Sequence, residues 1–155
     1  MSVKDYEGRK YDFLAFQNVA PGQSRQLGMA LYAEDNPGKI VVGIQKLAQR
    51  WALEFLTEDG SLRGLPDRGS LFMRLLRTNN LRTPQSITFA FNAANLDITQ
   101  QLKKEEYPEM PDDERFESAT LTGVTFYPGY LTLNVMIESV AGSARATILP
   151  IDTLP

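Results

Sequence analysis

Apolar residues recur every three or four positions between Lys39 and Thr57, which is the repeat of an amphipathic α-helix. The residues of the apolar face are Ile40, Ile44, Leu47, Ala48, Trp51 and Phe55. Those of the opposite, polar face are Lys46, Gln49, Arg50 and Glu54. We expect the rest of the domain to pack against this helix. Asn36 or Pro37 suits its start, because proline is well tolerated in the first turn of a helix.

Two further helical segments follow a loop that is broken by glycine and proline. A short helix is predicted from Ser70 to Arg77. Thr83 and Pro84 then make a good N-cap and first-turn pair, and helical spacing continues to about Glu106. The apolar alternation over residues 87–91 also fits a strand, but it stops immediately afterwards, so we favour a helix. The apolar residues at helical spacing are Ile87, Phe91, Ala94, Ile98 and Leu102.

The last third of the chain has the pattern of β-strands. Strands are predicted for Glu117–Phe126, Tyr130–Ser139 and Arg145–Ile151, with turn residues at 127–129 and 141–143 between them. Apolar and polar residues alternate along the middle strand, which is typical of a strand with one buried face. The predicted fold is therefore α+β, with helices packed on one face of a small antiparallel sheet, a C-terminal three-stranded meander.

The N-terminal part of the chain has a less regular pattern. Tyr11–Val19 is predicted as a short strand and Gln26–Ala33 as a second strand or a loosely ordered arm, with a Pro-Gly turn between them. The 155 residues suit one core. We therefore divide the chain into an N-terminal arm or strands over residues 1–37 and one α+β domain with a C-terminal strand or tail over residues 38–155.

The chain contains no cysteine and no histidine, which excludes disulfides, thiol nucleophiles and histidine-based catalysis. Carboxylates are the strongest remaining chemistry, and Glu54, Glu58 and Asp59 cluster at the end of the main helix. Glu54 and Glu58 are four residues apart and should share a helix face, and such a pair of carboxylates could cleave a glycoside. The surrounding sequence lacks the aromatic platform and apolar pocket for that reaction, so a solvated helix end is favoured. We expect no catalytic, cofactor or metal site.

A second cluster of acidic residues, before the predicted sheet, has the oxygen ligands that a hard cation prefers, but it lacks the residue spacing of a calcium-binding loop. We favour a solvated linker for these residues, which are Asp112, Asp113, Glu114 and Glu117. The middle of the chain, in contrast, is positively charged. Its basic residues are Arg63, Arg68, Arg74, Arg77 and Arg82. It could bind phosphate, complement an acidic surface of another copy or partner, or simply be solvated.

The net charge of −3 argues against capture of nucleic acid or an anionic membrane. No apolar run is long enough for a membrane span, and the first ten residues do not resemble a secretory signal, so a soluble protein is expected. The uncharged run ATILPI near the C-terminus would be an aggregation hazard as a free edge. It is either an edge that pairs with a partner strand or the last buried strand of the meander.

Three stretches together resemble the baseplate wedge family of contractile phage tails, over about residues 38–150. They are QKLAQRWALEFLTEDGS, the loop LRGLPDRGS, and DERFESATLTGVTFYPGYLTLNVMIES. The resemblance is focused on the loop that closes on Gly69 and on the acidic-arginine element that leads into the sheet. It implies a small α+β domain with a structural role, although such proteins are often labelled "tail lysozyme-like".

The resemblance implies a subunit that joins the baseplate to the sheath by strand-mediated contacts, and not an enzyme. Its partners would be other wedge proteins, the sheath protein, and hub or tube proteins, with no cofactor, nucleic acid or membrane. The protein would be assembled in the host cytoplasm and reside in the virion baseplate. A peptidoglycan hydrolase that uses Glu54 with Glu58 or Asp59 is the alternative. The predicted partner-binding residues are Arg68, Arg115, Thr147, Ile148, Leu149 and Ile151.

Overall fold

The structure, a computed structural model, describes residues 7–10, 12–13, 32–33, 36–37 and 40–153. Short strands come first: β1 (Asp12–Phe13), β2 (Tyr32–Ala33), β3 (Asn36–Pro37) and β4 (Ile40–Val41). Three helices follow: α1 (Gly43–Leu56), α2 (Phe72–Arg77) and α3 (Pro84–Lys104). The last elements are the strands β5 (Phe116–Tyr127), β6 (Tyr130–Ser139) and β7 (Ala144–Asp152).

The last three strands form an antiparallel sheet in the order β5-β6-β7, which confirms the α+β class and the meander. The predicted strand limits agree with the structure to within one residue. The alternation along β6 is also confirmed, because its inward side chains are at most 1% exposed. These side chains are Leu131, Leu133, Val135 and Ile137. The helices α1 and α3 pack against this side of the sheet.

The third helix confirms the helical interpretation of residues 87–91. Thr83 is the N-cap: its hydroxyl accepts a hydrogen bond from the Ser86 N–H, and the Ser86 hydroxyl accepts one from the Thr83 N–H. Pro84 occupies the first turn, where its missing N–H costs nothing. The face at helical spacing is buried, whereas Phe89 points outward and is 78% exposed.

The first helix begins later than predicted, so the start near Asn36 or Pro37 is wrong. Asn36 and Pro37 form β3, and Ile40 lies in β4, which pairs with β1. Gly43 has a φ of +64°, a left-handed conformation that interrupts a right-handed helix. Its N–H donates to Glu114 Oε1 at 3.1 Å. The helix therefore starts at Gly43, whose left-handed conformation goes with a hydrogen bond from its N–H to the buried Glu114 carboxylate.

An aromatic cluster lies between the helices and the sheet. Trp51 is 0% exposed and stacks on Phe55, with ring centres 4.9 Å apart, while Phe91 lies 5.8 Å from Trp51. The indole Nε1 donates to Asn95 Oδ1 at 3.0 Å, and Asn95 Nδ2 donates to the Ala119 carbonyl at 3.1 Å. One half-buried amide thus links α1, α3 and β5.

The N-terminal predictions fall largely outside the described residues. The predicted strand Tyr11–Val19 is described only at β1, and the predicted segment Gln26–Ala33 only at β2. Because β1 pairs with β4, residues 12–13 belong to the same packed unit as the start of α1. None of the helices in the described part of the chain combines the length and the apolar character of a membrane span.

Candidate functional site

The strand β7 lies at the edge of the sheet, and its pairing with β6 runs without a bulge. Just beyond the strand, the Thr153 N–H donates to the Gly129 carbonyl at 3.0 Å. In antiparallel pairs, residues that exchange hydrogen bonds alternate with residues that exchange none. Counting back from Thr153, the residues that bond to β6 are Ile151, Leu149 and Thr147.

The residues between them direct their backbone groups away from β6. Ala146 and Ile148 each present an N–H and a C=O on the open side, and Pro150 presents a C=O alone. No other strand among the described residues pairs with this side of β7. The edge therefore offers backbone N–H and C=O groups that could pair with an added strand. Pro150, which has no N–H, ends this row of donors at one end.

The predicted partner-binding residues of β7 divide between two faces. Leu149 and Ile151 are 1% and 3% exposed and belong to the core, so their side chains are not accessible. Thr147 is half-buried, and Ile148 is 39% exposed on the opposite face. The two interpretations of this run are therefore compatible: β7 is a strand with one buried face and also an edge strand.

The outer face of the sheet has few charges. Register pairs place Thr125 beside Thr132 and Thr120 beside Met136, with Ile148 next to Asn134. The charged side chains that share this face, Glu117, Glu138 and Asp152, stand near its two ends. An uncharged face beside an open edge is a surface on which a partner strand and its side chains can lie without burying an unpaired charge.

The opposite edge of the sheet, β5, is covered at its start. The Ala119 carbonyl on β5 accepts the hydrogen bond from Asn95 on α3. The Phe116 N–H at the start of β5 donates to Glu106 Oε1 at 3.1 Å. Because side chains of α3 and the following residues bind two backbone groups at the start of β5, β7 is the more open of the two edges over its length.

The loop that closes on Gly69 is fixed by a buried carboxylate. Glu54 is 7% exposed; its Oε1 pairs with Arg68 and its Oε2 accepts the Gly69 N–H at 3.1 Å. Arg68 also pairs with Glu105 at the end of α3. The Ser70 hydroxyl donates to the Phe55 carbonyl at 2.9 Å. Arg68, a predicted partner-binding residue, is thus engaged within its own chain.

The candidate hydrolase carboxylates do not form a pair. The helix ends at Leu56, so Glu58 does not share a helix face with Glu54, contrary to prediction. Glu58 instead pairs with Arg74 and Arg77. An open cleft of about 450 Å³ includes Asp59 but neither glutamate. Its lining residues are Asp59, Asp67, Gly69, Ser70, Leu71, Asp97, Gln100, Gln101 and Lys104.

The acidic segment before β5 is not a solvated linker throughout, and this part of the prediction is wrong. Glu114 is 1% exposed, and its Oε2 accepts a hydrogen bond from Lys46 Nζ at 2.7 Å. Asp113 accepts two hydrogen bonds from Arg9 Nη1 at 2.8 and 3.0 Å. Asp112 pairs with Arg115, another predicted partner-binding residue. The described residues contain no group of three or more side chains placed to hold a metal ion.

Three of the four residues on the face of α1 that the pattern marks as polar are buried, and the fourth, Arg50, is half-buried. Lys46 and Gln49 are 9% and 5% exposed. Gln49 Nε2 donates to Asp12 Oδ2 at 3.2 Å and to the Phe13 carbonyl at 2.7 Å, and Lys46 Nζ also donates to the Lys10 carbonyl. The partners come from 36 or 37 residues earlier in the chain, so the local pattern contains no sign of them.

Replacing Gly69 by alanine should destabilise the fold by about 2 kcal/mol, because the residue has a φ of +97° and a Cβ would lie 2.6 Å from the Thr57 carbonyl oxygen. Chemical denaturation measures this loss. Gly64→Ala is the matched control from the same loop, since its Cβ meets nothing within 4 Å. Equal unfolding midpoints for the two variants would contradict the close approach at Gly69.

The chain matches no protein-family model, no curated protein and no solved structure.

Proposed function

We propose that the protein is a structural subunit of a contractile phage tail baseplate, a wedge protein that joins the baseplate to the sheath by strand addition at β7. The observation that supports this proposal best is the edge of β7, where Ala146 and Ile148 direct unpaired backbone groups outward. The choice of a contractile tail baseplate as the assembly rests on the sequence resemblance. In this proposal the protein acts as a binding subunit and not as an enzyme.

Strand addition explains how one small edge can bind with specificity. Backbone hydrogen bonds to Ala146 and Ile148 would supply the pairing, and the Ile148 side chain would supply an apolar contact on the outer face. Pro150 would limit the length of the added strand, because it has no N–H to donate. Arg68 and Arg115 would contribute less, since both are engaged by their own chain.

The proposed partners are the sheath protein and other wedge proteins, with hub or tube proteins as further neighbours, and the proposed location is the virion baseplate. The peptidoglycan hydrolase alternative gains no support from the geometry. Glu54 is buried and bound by Arg68 and the Gly69 N–H, and Glu58 has its own arginine partners. Peptidoglycan turnover that Glu54→Gln abolishes would favour that alternative.

The test is co-expression with the neighbouring tail proteins, using the double variant Ala146→Pro and Ile148→Pro. The variant removes two outward N–H groups and leaves the hydrogen bonds between β7 and β6 in place. We expect it to keep the circular dichroism spectrum of the wild type and to lose its complex with the sheath or wedge protein.

Ile148→Thr is the matched control, because it removes the apolar side chain but keeps the N–H and the β propensity. It should retain most of the complex. Ile148→Lys, a typical edge-blocking substitution, should weaken the complex without a backbone change. Retention of the complex by the folded proline variant, or no complex with the wild type, would refute the proposal.

A further inference from the structure

The outward face of α3 lacks the charges that usually cover a solvent-facing helix. Residues 83–96 contain no charged side chain. Phe89 is 78% exposed and Leu96 is 62% exposed, the two largest values among the large apolar residues of the described chain. A contiguous apolar patch of several hundred Å² on a surface is a mark of an interaction site.

These side chains form one stripe, here called the α3 stripe. It consists of Gln85, Phe89, Asn92, Ala93, Leu96 and Gln100, all of them exposed. Spacings of three and four residues place them on one side of the helix. Phe89 and Leu96 stand two turns apart, about 10.5 Å along the axis, with the small side chain of Ala93 between them.

We propose that the α3 stripe pairs with the same stripe of a second copy of this chain, in an antiparallel helix crossing about a two-fold axis near Asn92 and Ala93. In this arrangement Phe89 of each copy packs against Leu96 of the other. The small residue at the centre lets the two helices approach closely. The stripe is self-complementary because its order of large, small and large side chains is the same from either end.

The charges permit a second copy as the occupant. The protein has a net charge of −3, so its copies repel each other weakly at most surfaces. The α3 stripe itself carries no charge, and the nearest charged residue on α3, Asp97, stands beside it. An antiparallel crossing also sets the positive N-terminal end of each helix dipole beside the negative C-terminal end of the other.

The size of the stripe sets the strength of the dimer. A stable interface covers roughly 800 Å² on each partner. Two large apolar side chains and four small or polar ones cover about half of that area by the usual side-chain sizes. We therefore expect a reversible dimer with a dissociation constant on the order of 100 µM, and little dependence on salt.

Sedimentation equilibrium between roughly 10 and 500 µM brackets such an affinity. The wild type should change from monomer to dimer across this range. Phe89→Glu and Leu96→Glu should each weaken the dimer by at least about tenfold, since each buries a charge without a partner. Leu62→Glu is the matched control: Leu62 is 44% exposed in the loop after α1, and this variant should dimerise like the wild type.

A cysteine cross-link tests the geometry independently, because the chain has no cysteine of its own. Ala93→Cys lies near the proposed axis and should oxidise to a disulfide-linked dimer faster than Ser61→Cys in the loop. A wild type that stays monomeric to the highest concentration would overturn the proposal. So would a dimer that both glutamate variants leave intact. Neither readout uses a tail protein, so this result stands or falls separately from the proposed function.

Discussion

Replacing Phe91 by alanine should lower the free energy of unfolding by about 3–5 kcal/mol. Phe91 is 0% exposed and lies 5.8 Å from the Trp51 ring and 5.5 Å from the Phe55 ring. Its removal would leave a cavity between α1 and α3 that the rigid indole and its hydrogen bond to Asn95 keep from collapsing. Urea denaturation followed by far-ultraviolet circular dichroism measures the change.

Phe89→Ala is a matched control, two residues away on the same helix. Phe89 is 78% exposed, so its removal should change the stability by less than about 0.5 kcal/mol. Both variants are compared at low micromolar concentration, where the proposed dimer is dissociated. Similar losses for Phe91→Ala and Phe89→Ala would mean that the orientation of α3 described here is wrong.

Replacing Glu114 by glutamine should destabilise the fold by about 3 kcal/mol. The carboxylate is 1% exposed and accepts hydrogen bonds from Lys46 Nζ and from the Gly43 N–H. Glutamine keeps the volume but removes the charge, which leaves the buried ammonium of Lys46 without its anionic partner. Thermal and urea unfolding of the variant test the expectation.

Asp112→Asn is the control from the same segment, because it weakens an ion pair with Arg115 in which the Asp112 side chain is 63% exposed. Its effect should stay below about 1 kcal/mol. Adding Lys46→Met to Glu114→Gln should restore part of the loss, since both members of the buried pair are then neutral. A loss for Glu114→Gln no larger than that for Asp112→Asn would show that the carboxylate is solvated.

The elements predicted well are those that local residues determine. The strand from Tyr130 to Ser139 follows from its own alternation, and α3 follows from its Thr83 cap and its apolar spacing. Neither needs information from a distant part of the chain. The choice of helix for residues 87–91 succeeds for the same reason, because the helical spacing extends well beyond the short alternation.

The failures share a non-local cause. Lys46 and Gln49 look like solvent-facing residues, yet they are buried. Lys46 binds Glu114, which is 68 residues away, and the Lys10 carbonyl, and Gln49 binds the Phe13 carbonyl. A pattern of apolar and polar residues contains no information on which polar groups meet in space. The late start of α1 has a similar origin, because Gly43 takes its left-handed conformation where Glu114 accepts its N–H.

The candidate site was predictable in part. The run ATILPI predicted a strand but left open whether it is a buried strand or an edge that pairs with a partner. In the structure Leu149 lies in the core and Ile148 lies on the outer face. Which backbone groups point outward depends on the register with β6, which no local pattern specifies. In the sequence Arg68 is one of several arginines of a basic middle region, and its pairing is not visible there because its partners, Glu54 and Glu105, lie 14 and 37 residues away.

Trp51 is the only tryptophan of the chain, and this gives the protein a built-in optical probe. Its indole is fully enclosed and hydrogen-bonded to Asn95. The emission should therefore be blue-shifted in the native state and should respond when the helices part from the sheet. A partner that binds at β7 or at the α3 stripe would not reach the enclosed ring. Any spectral change on assembly would thus report a rearrangement of the interior, and a silent spectrum would indicate docking of a rigid body.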